Sequence, residues 1–445
     1  MFNQAAWIDK EPRNPLRVGP ADIPVPGDED IIVKNHAIAI NPVDWKIQDH
    51  GIFVQNWPFV LGTDVAGEVH EVGKNVTKFQ KGDRVLGHAV SLATQKAEDG
   101  AFQLYTRIQS SFAAKLPDSI SFTEGAVLPL AIDTAGHGLY AKKDGFFGLP
   151  YPSLEPKSIG KTIVVWGASS SVGALAVQLA TASGVKVIAV ASKHNHEFAK
   201  KLGASEAIDY NDPNVVDDVV KAVKSAGGDF IGVYDAISLE SSLKHVVPIA
   251  EKLGGGTVAT TLPGPEKKPE SIKFGNVFAI DAVNHPLWEK YITPALEQGK
   301  LRAVPEPLVI GKGLESVQKG LDKNKAGVSA RKVVIELDAY ISCSESHRVS
   351  TMQSGPWPAM LSISVDDEMQ WEDWPPSPSP TDVLTHEDVV LDFAKKKFVD
   401  HGDNRCIYPY AAPATLKRTF PHAEDRHAPR INEQGWILSP EFQSR

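Results

Sequence analysis

Residues 163–180 read IVVWGASSSVGALAVQLA, an apolar β-branched run, a turn of small residues and an alanine- and leucine-rich run. Small side chains between a strand and a helix let backbone N–H groups close on an anion, and the positive end of the helix dipole adds to the attraction. Three serines stand in the turn, with Ala168 and Ser170 at two positions where a dinucleotide loop usually has glycine and Gly173 at the third. Both substitutes are small enough to keep the path open, and the serine hydroxyls add donors, so the turn can still hold an anion such as a pyrophosphate. A plain structural turn would use the same small residues.

The next apolar run, residues 185–191, leads into Ser192-Lys193-His194-Asn195 with no acid within it. A carboxylate there would bind a ribose 2′-hydroxyl, whereas a lysine among polar donors suits a 2′-phosphate. This points to NADPH over NADH, against an ordinary solvated loop.

The elements that must position these groups follow from the pattern. Short apolar runs broken by glycine turns fill residues 30–125, as in Ile31-Ile32-Val33 and Val65-Ala66-Gly67-Glu68-Val69, and predict a small barrel-like β-domain. Over 126–275 the runs IVVWGA, VKVIAVA, FIGVYDAI and TVATTL alternate with helical patterns, which predicts a parallel sheet with helices on both faces. Arg331-Lys332-Val333-Val334-Ile335-Glu336-Leu337 reads as a strand returning to the first domain. The expected organisation is a catalytic domain from 1–125 and 276–340, a dinucleotide domain at 126–275, and a tail at 341–445. The tail carries Trp374-Pro375-Pro376-Ser377-Pro378-Ser379-Pro380, four tryptophans and one helical stretch near 387–398, and it reads as largely irregular or disordered.

Composition narrows the function classes. A chain of 445 residues, 42% hydrophobic and 23% charged, is globular and holds more than one core. A net charge of −9 supplies no basic surplus for a nucleic-acid backbone. The first twenty residues lack the apolar centre of a signal peptide and no apolar run spans a bilayer, so the expectation is a cytosolic protein without membrane partners. Only Cys343 and Cys406 occur, so nothing before residue 343 can form a disulfide or a cysteine-ligated metal site.

Five ordered motifs then give the chain a likeness. Asn41-Pro42-Val43-Asp44-Trp45-Lys46, Gly62-Thr63-Asp64-Val65-Ala66-Gly67-Glu68-Val69, Lys81-Gly82-Asp83-Arg84-Val85, Gly100-Ala101-Phe102-Gln103 and the serine-containing turn resemble the medium-chain dehydrogenase/reductase superfamily over about residues 20–340. Within it the chain is most similar to the zinc-free branch: quinone-oxidoreductase-like proteins and the fungal group with trans-acting enoyl reductases of polyketide assembly. The resemblance implies an α/β fold, a GroES-like β-barrel-type catalytic domain joined to a doubly wound Rossmann domain, and a monomer or homodimer, with residues 276–283 to watch for pairing between subunits. Zinc-dependent members carry a cysteine where Asn41 stands and a His-Glu pair where this chain has Thr63-Asp64, so no metal site is expected.

Without a Lewis acid for an alcohol oxygen, the implied reaction is transfer of hydride from NADPH to an alkene conjugated to a carbonyl, with hydrogen-bond donors stabilising the enolate. An NADPH-dependent quinone reductase is the first alternative, and a nucleotide-binding scaffold with little catalysis the second. A small-molecule enone, enoyl or quinone substrate is implied, and a polyketide synthase or carrier domain is a candidate partner that no sequence feature identifies.

The likeness also maps the phosphate and ribose contacts to Ser170, Ser171, Val172 and Gly173 in the turn and to Ser192, Lys193, His194 and Asn195 after the second strand, and it implies further roles, each beside a plainer one. Val43, Asp44, Trp45 and Lys46 line the front wall of the cleft; Lys46 donates to cofactor or substrate carbonyl, or is only a solvated lysine. Thr134 is the preferred hydroxyl donor, unless it bonds its own helix backbone, and Asp133 and His137 line the substrate cavity with it. Val277 and Phe278 are further substrate candidates. Tyr210 packs near the adenosine phosphate or is a strand-end aromatic, while Leu262, Val328 and Ser329 reach the cofactor or only pack. No side-chain proton donor is evident, since the segment after the Asn-Pro-x-Asp motif reads Gly51-Ile52-Phe53 where mitochondrial enoyl reductases of the superfamily have a tyrosine. Asp235 reads as a structural strand-end residue.

Overall fold

A computed structural model describes residues 2–337. The sequence expectations for the tail, 341–445, lie outside the described residues.

The six runs with parallel-strand character assemble in the order Glu206–Asp209, Lys186–Ala191, Lys161–Trp166, Asp229–Asp235, Gly256–Thr260, Ile272–Asn276, every neighbouring pair parallel. Chain order therefore runs outward in both directions from the first strand, Lys161–Trp166. The reversal leaves a crevice at that strand's carboxyl end, where ligands of doubly wound sheets bind.

Alternation along the first strand explains the double covering. Ile163 and Val165 face a core with Leu175, Leu179, Tyr140 and Trp288, whereas Val164 and Trp166 face Val190, Val219, Val223, Val246, Ile249 and Val258 on the other side. Each fully buried Val, Ile or Leu contributes roughly 1.5–3 kcal/mol of transfer free energy, so the unbroken apolar run 163–166 is what holds a helix on each face. The helix Val215–Ala226 shows the complementary pattern, with Val215, Val219, Val220, Ala222 and Val223 buried and Asp217, Asp218, Lys221 and Lys224 turned outward.

The second half of the fold is a seven-stranded, mostly antiparallel sheet in which Asp30–Ala39 is paired to Asp64–Val72, Tyr105–Gln109 and Arg331–Glu336. Val334 opposes Ala39 and Ile335 opposes Ile38, so the late strand returns to the first domain as its sequence suggested. Two features extend the sequence reading. Strands begin at Asn3–Ile8 and Arg17–Ala21, ahead of the predicted β-rich region, and Ile272–Asn276 adds a sixth parallel strand after the run TVATTL. No helix among the described residues is long and apolar enough to cross a membrane.

Candidate active site

The turn after the first parallel strand is shaped by two glycines. Gly167 takes φ +74°, and a Cβ there would stand 2.6 Å from Ile237 Cγ1. A Cβ on Gly173 would stand 2.2 Å from the carbonyl oxygen of Gly167, so the helix Ser171–Ala182 approaches the turn only because residue 173 has no side chain. Gly167 was not singled out in the sequence; its signal was the position directly after the apolar run. The amides of Gly167 and Ala168 both donate to Val190 O at 3.0 Å, which ties the turn to the second strand.

Ser170 is the helix N-cap, its Oγ accepting from Gly173 N at 3.1 Å. A hydroxyl that accepts can still donate, so its hydrogen stays free for an anion. Ser171 Oγ is shielded from solvent with no hydrogen-bond partner. A buried orphan hydroxyl costs about 1–3 kcal/mol, and beside first-turn amides that have no intrahelical acceptor it fits a pyrophosphate oxygen.

The end of the second strand gathers the residues expected to hold a 2′-phosphate. Ser192 and Asn195 are buried and joined by Asn195 Nδ2 donating to Ser192 Oγ at 3.0 Å, while Lys193 and His194 are exposed. His194 Nε2 lies 3.3 Å from Ser192 Oγ and 3.4 Å from Ser329 Oγ. The structure thus brings Ser329, remote in sequence, to this loop. It also places an acid that the sequence reading did not foresee: Asp209 opposes Ala191 on the neighbouring strand. Its carboxylate accepts from Asn211 N and Nδ2, both at 3.0 Å. The Asn211 backbone N–H, with smaller contributions from His196 and Lys193, holds the Asp209 carboxyl below its usual range. Tyr210, next in the chain, is 44% exposed and free to pack against a ligand or to remain in solvent.

On the front wall, the helix Pro42–His50 is capped by Asn41, with Asn41 N donating to Asp44 Oδ2 at 2.8 Å. This corrects the expectation for Asp44: it is 1% exposed and receives Asn41 N and Gly62 N, so it secures the wall instead of facing a ligand. Trp45 donates Nε1–H to Asn324 Oδ1 at 3.1 Å, and the ammonium groups of Lys46 and Lys325 stand 5.7 and 5.9 Å from its ring centre. Val43 and Lys46 are half-buried, and burial lowers the Lys46 pKa.

The helix Pro129–Tyr140 brings one more correction, at Asp133, and places Thr134 and His137. Asp133 is fully buried, with Oδ2 2.6 Å from His88 Nδ1 and Oδ1 accepting from Trp288 Nε1 at 2.7 Å, so both its oxygens are engaged in cross-linking the two halves of the fold. Thr134 donates its hydroxyl hydrogen to Leu130 O at 2.7 Å, the backbone bond named as the competing reading. His137 is 2% exposed, 3.4 Å from Asp281 and edge-on to Phe146, and burial lowers its pKa. Val277 donates its N–H to Thr260 O at 2.8 Å beyond the last parallel strand, and Phe278 is 60% exposed. Leu262 and Val328 are half-buried, with Val328 packed on the core of the antiparallel half. Asp235 accepts from Ile237 N, Ser238 N and Ser242 Oγ, the structural role its position suggested.

Asn41, Thr63 and Asp64 meet in a fully packed cluster. Asn41 Nδ2 donates to Thr63 Oγ1 at 3.0 Å and to Asp64 Oδ2 at 2.6 Å, and the Lys332 ammonium lies 2.9 Å from the same Asp64 oxygen. Among the described residues no group of three or more His, Cys, Asp or Glu could hold a metal ion. One carboxylate already paired with an ammonium is a poor cation site, so this cluster does not fit zinc.

Burial, and secondarily the charge of Asp64, pushes the Asp44 carboxyl up to about 7. Because the folded state then binds a proton that the unfolded chain has released, this group's contribution to stability is present at low pH and declines as pH rises from about 4 to about 7, at up to ~1.4 kcal/mol per pH unit. Calorimetric melting across that range is expected to show the wild-type advantage over Asp44→Asn shrinking as pH rises; a constant difference would contradict the assignment.

The alcohol dehydrogenase GroES-like domain family matches residues 27–118, and the zinc-binding dehydrogenase family matches residues 171–285. Dehydrogenase orsE of Emericella nidulans is 48% identical over 346 residues, covering 75% of this chain and 99% of that protein. The chain belongs to the medium-chain dehydrogenase/reductase superfamily. A second superfamily relative, trans-enoyl reductase himH of Aspergillus japonicus, is 41% identical and covers 76% of this chain and 98% of its own. Among solved structures, an alcohol dehydrogenase superfamily protein from Novosphingobium aromaticivorans has a TM-score of 0.60 at 22% identity, covering 76% of this chain and all of that one. The CurK enoyl reductase has a TM-score of 0.56 at 19% identity, covering 76% and 99%. These two share the superfamily fold, a GroES-like unit with a Rossmann-type unit. As a superfamily member the protein is an oxidoreductase of nicotinamide dinucleotides.

Proposed function

We propose that the protein is a zinc-independent, NADPH-dependent reductase of carbon–carbon double bonds conjugated to a carbonyl. The observation that carries this reading is the Lys332 ammonium paired with Asp64 and bonded to Asn41, in the cluster where the superfamily likeness would put zinc ligands. A fixed cation there leaves no place for a metal to bind an alcohol oxygen, and reduction of an activated alkene needs none. The name of the himH relative, a trans-enoyl reductase, agrees with this choice.

When bound, NADPH supplies a hydride from C4 of its nicotinamide to the substrate's β carbon. The protein's share is binding and electrostatics. Ser171, Val172 and the Ser170 hydroxyl hold the pyrophosphate, Lys193 with Ser192, His194 and Asn195 binds the 2′-phosphate, and Ser329 closes that site from the returning segment. Lys46, its ammonium half-shielded, donates to the substrate carbonyl oxygen and stabilises the charge that develops on it; partial burial strengthens such a bond. Solvent delivers the proton to the α carbon. Thr134 lines the same cleft and serves as a donor only where a substrate oxygen displaces Leu130 O from its hydroxyl.

Steady-state rates with NADPH on alkenals, α,β-unsaturated acyl thioesters and quinones separate the alternatives. The expected order places an enoyl or enone substrate first. A quinone preferred over every enoyl compound would replace this reading with that of a quinone reductase, and NADPH binding without turnover on any of them would favour a scaffold.

A further inference from the structure

Lys332 is 4% exposed, on the strand Arg331–Glu336 that returns from the far end of the sequence. In an alternating strand read from sequence alone it would be a solvated lysine. Its Nζ instead lies 2.9 Å from Asp64 Oδ2 and donates to Asn41 Oδ1, a residue 291 positions away in the chain. Asp64 is itself fully buried. A buried ion pair is retained at the cost of desolvating both charges, so it is weak evidence for stability and directs attention to what it fixes in place.

Both partners are attached to walls of the proposed cleft. Asn41 caps the helix Pro42–His50, which carries Lys46, through the reciprocal bond from Asn41 N to Asp44 Oδ2. Asp64 Oδ1 accepts Leu130 N at 2.6 Å, in the first turn of the helix Pro129–Tyr140, which carries Thr134. The ammonium orients the Asn41 amide: with Oδ1 held by Lys332, Nδ2 must face Thr63 Oγ1 and Asp64 Oδ2. The strand bearing Lys332 starts two residues after Ser329, whose hydroxyl meets His194 at the dinucleotide end.

We propose that Lys332 is a positioning residue for the reduction: by holding Asn41 and Asp64 together it registers the helices of Lys46 and Thr134 against each other and against the returning strand. The inference rests on the reductase reading of the cleft. It assigns Lys332 no contact with substrate or cofactor.

The test uses full-length protein with Lys332→Met, which keeps most of the stem and removes the charge, and Lys332→Met/Asp64→Asn, which leaves no unpaired buried charge should the single variant fail to fold. Hydrogen exchange is followed by mass spectrometry over residues 42–50 and 129–140, together with kcat and the NADPH dissociation constant. The expected result is faster exchange in both helices at once and a kcat lowered ten- to a hundredfold or so, the order of loss that an ångström-scale misplacement brings, while NADPH affinity changes much less. Wild-type exchange and wild-type kcat in the neutral double variant would overturn the proposal, as would a loss confined to NADPH affinity. If the wild type reduces no enone, the reductase reading falls, and the exchange measurement still decides whether Lys332 registers the two helices.

Discussion

Gly173→Val is expected to weaken NADPH binding by about two orders of magnitude and to lower stability by roughly 1–3 kcal/mol, the usual range for overpacking a tight contact. The reason is local and steric. A Cβ at this position would sit 2.2 Å from Gly167 O, a backbone atom fixed in turn by the bonds from Gly167 N and Ala168 N to Val190 O. No side-chain rotation relieves that clash, so the turn or the helix must move. Either movement takes the amides of Ser171 and Val172, and the orphan Ser171 hydroxyl, away from the place where a pyrophosphate would meet them. Fluorescence titration with NADPH measures the affinity and thermal melting measures the stability. Unchanged affinity in a protein that has lost stability would show that Gly173 serves packing alone.

Lys193→Glu is expected to reverse much of the proposed preference for the phosphorylated dinucleotide. A charge-assisted hydrogen bond is worth about 1.5–3 kcal/mol, roughly ten- to a hundredfold in affinity, and the introduced carboxylate adds repulsion of the 2′-phosphate. NADH lacks that phosphate and should lose little. Because Lys193 is exposed, the effect should shrink as salt is raised from about 0.01 to about 1 M, where the screening length falls from about 30 to about 3 Å. Asp209 on the adjoining strand is the acid already present beside this loop: Asn211 N and Nδ2 both donate to its Oδ1, and its charge is the same in the wild type and the variant. Equal loss for NADPH and NADH in isothermal titrations would remove Lys193 from the specificity argument.

The parallel sheet was legible because its inner strands carry apolar runs, 163–166 and 187–191 among them, and such runs separated by helical patterns leave few topologies. The return of 331–337 was legible for the same reason. What the chain did not reveal were pairings between distant residues with unremarkable local patterns. Asn3–Ile8 mixes polar and apolar residues and becomes a strand through Arg17–Ala21 and Phe59–Val60. Ile272–Asn276 contains a lysine, a glycine and an asparagine, and is a strand because Gly256–Thr260 offers it an edge.

The site divides along the same line. The serine-containing turn is a short contiguous segment, and its serines could be weighed from the sequence. Asp44 and Asp133 could not, because what settles their roles is burial against Gly62, His88 and Trp288, none of which a local pattern predicts. Thr134 had two readings that differ by one hydrogen bond, and only the distance to Leu130 O distinguishes them. Lys332 was invisible for a further reason: a lysine beside Arg331 at the start of a strand is ordinarily at the surface, and a buried partner 291 residues upstream is not part of that pattern.

The most direct test of the central claim follows the transferred hydrogen. With chelator-treated protein, NADPH deuterated at C4 and an α,β-unsaturated acyl thioester or enone, mass spectrometry and NMR of the product should find the deuterium on the former β carbon, at a rate that added zinc leaves unchanged. Deuterium on the carbonyl carbon, or turnover that appears only when zinc is restored, would contradict it.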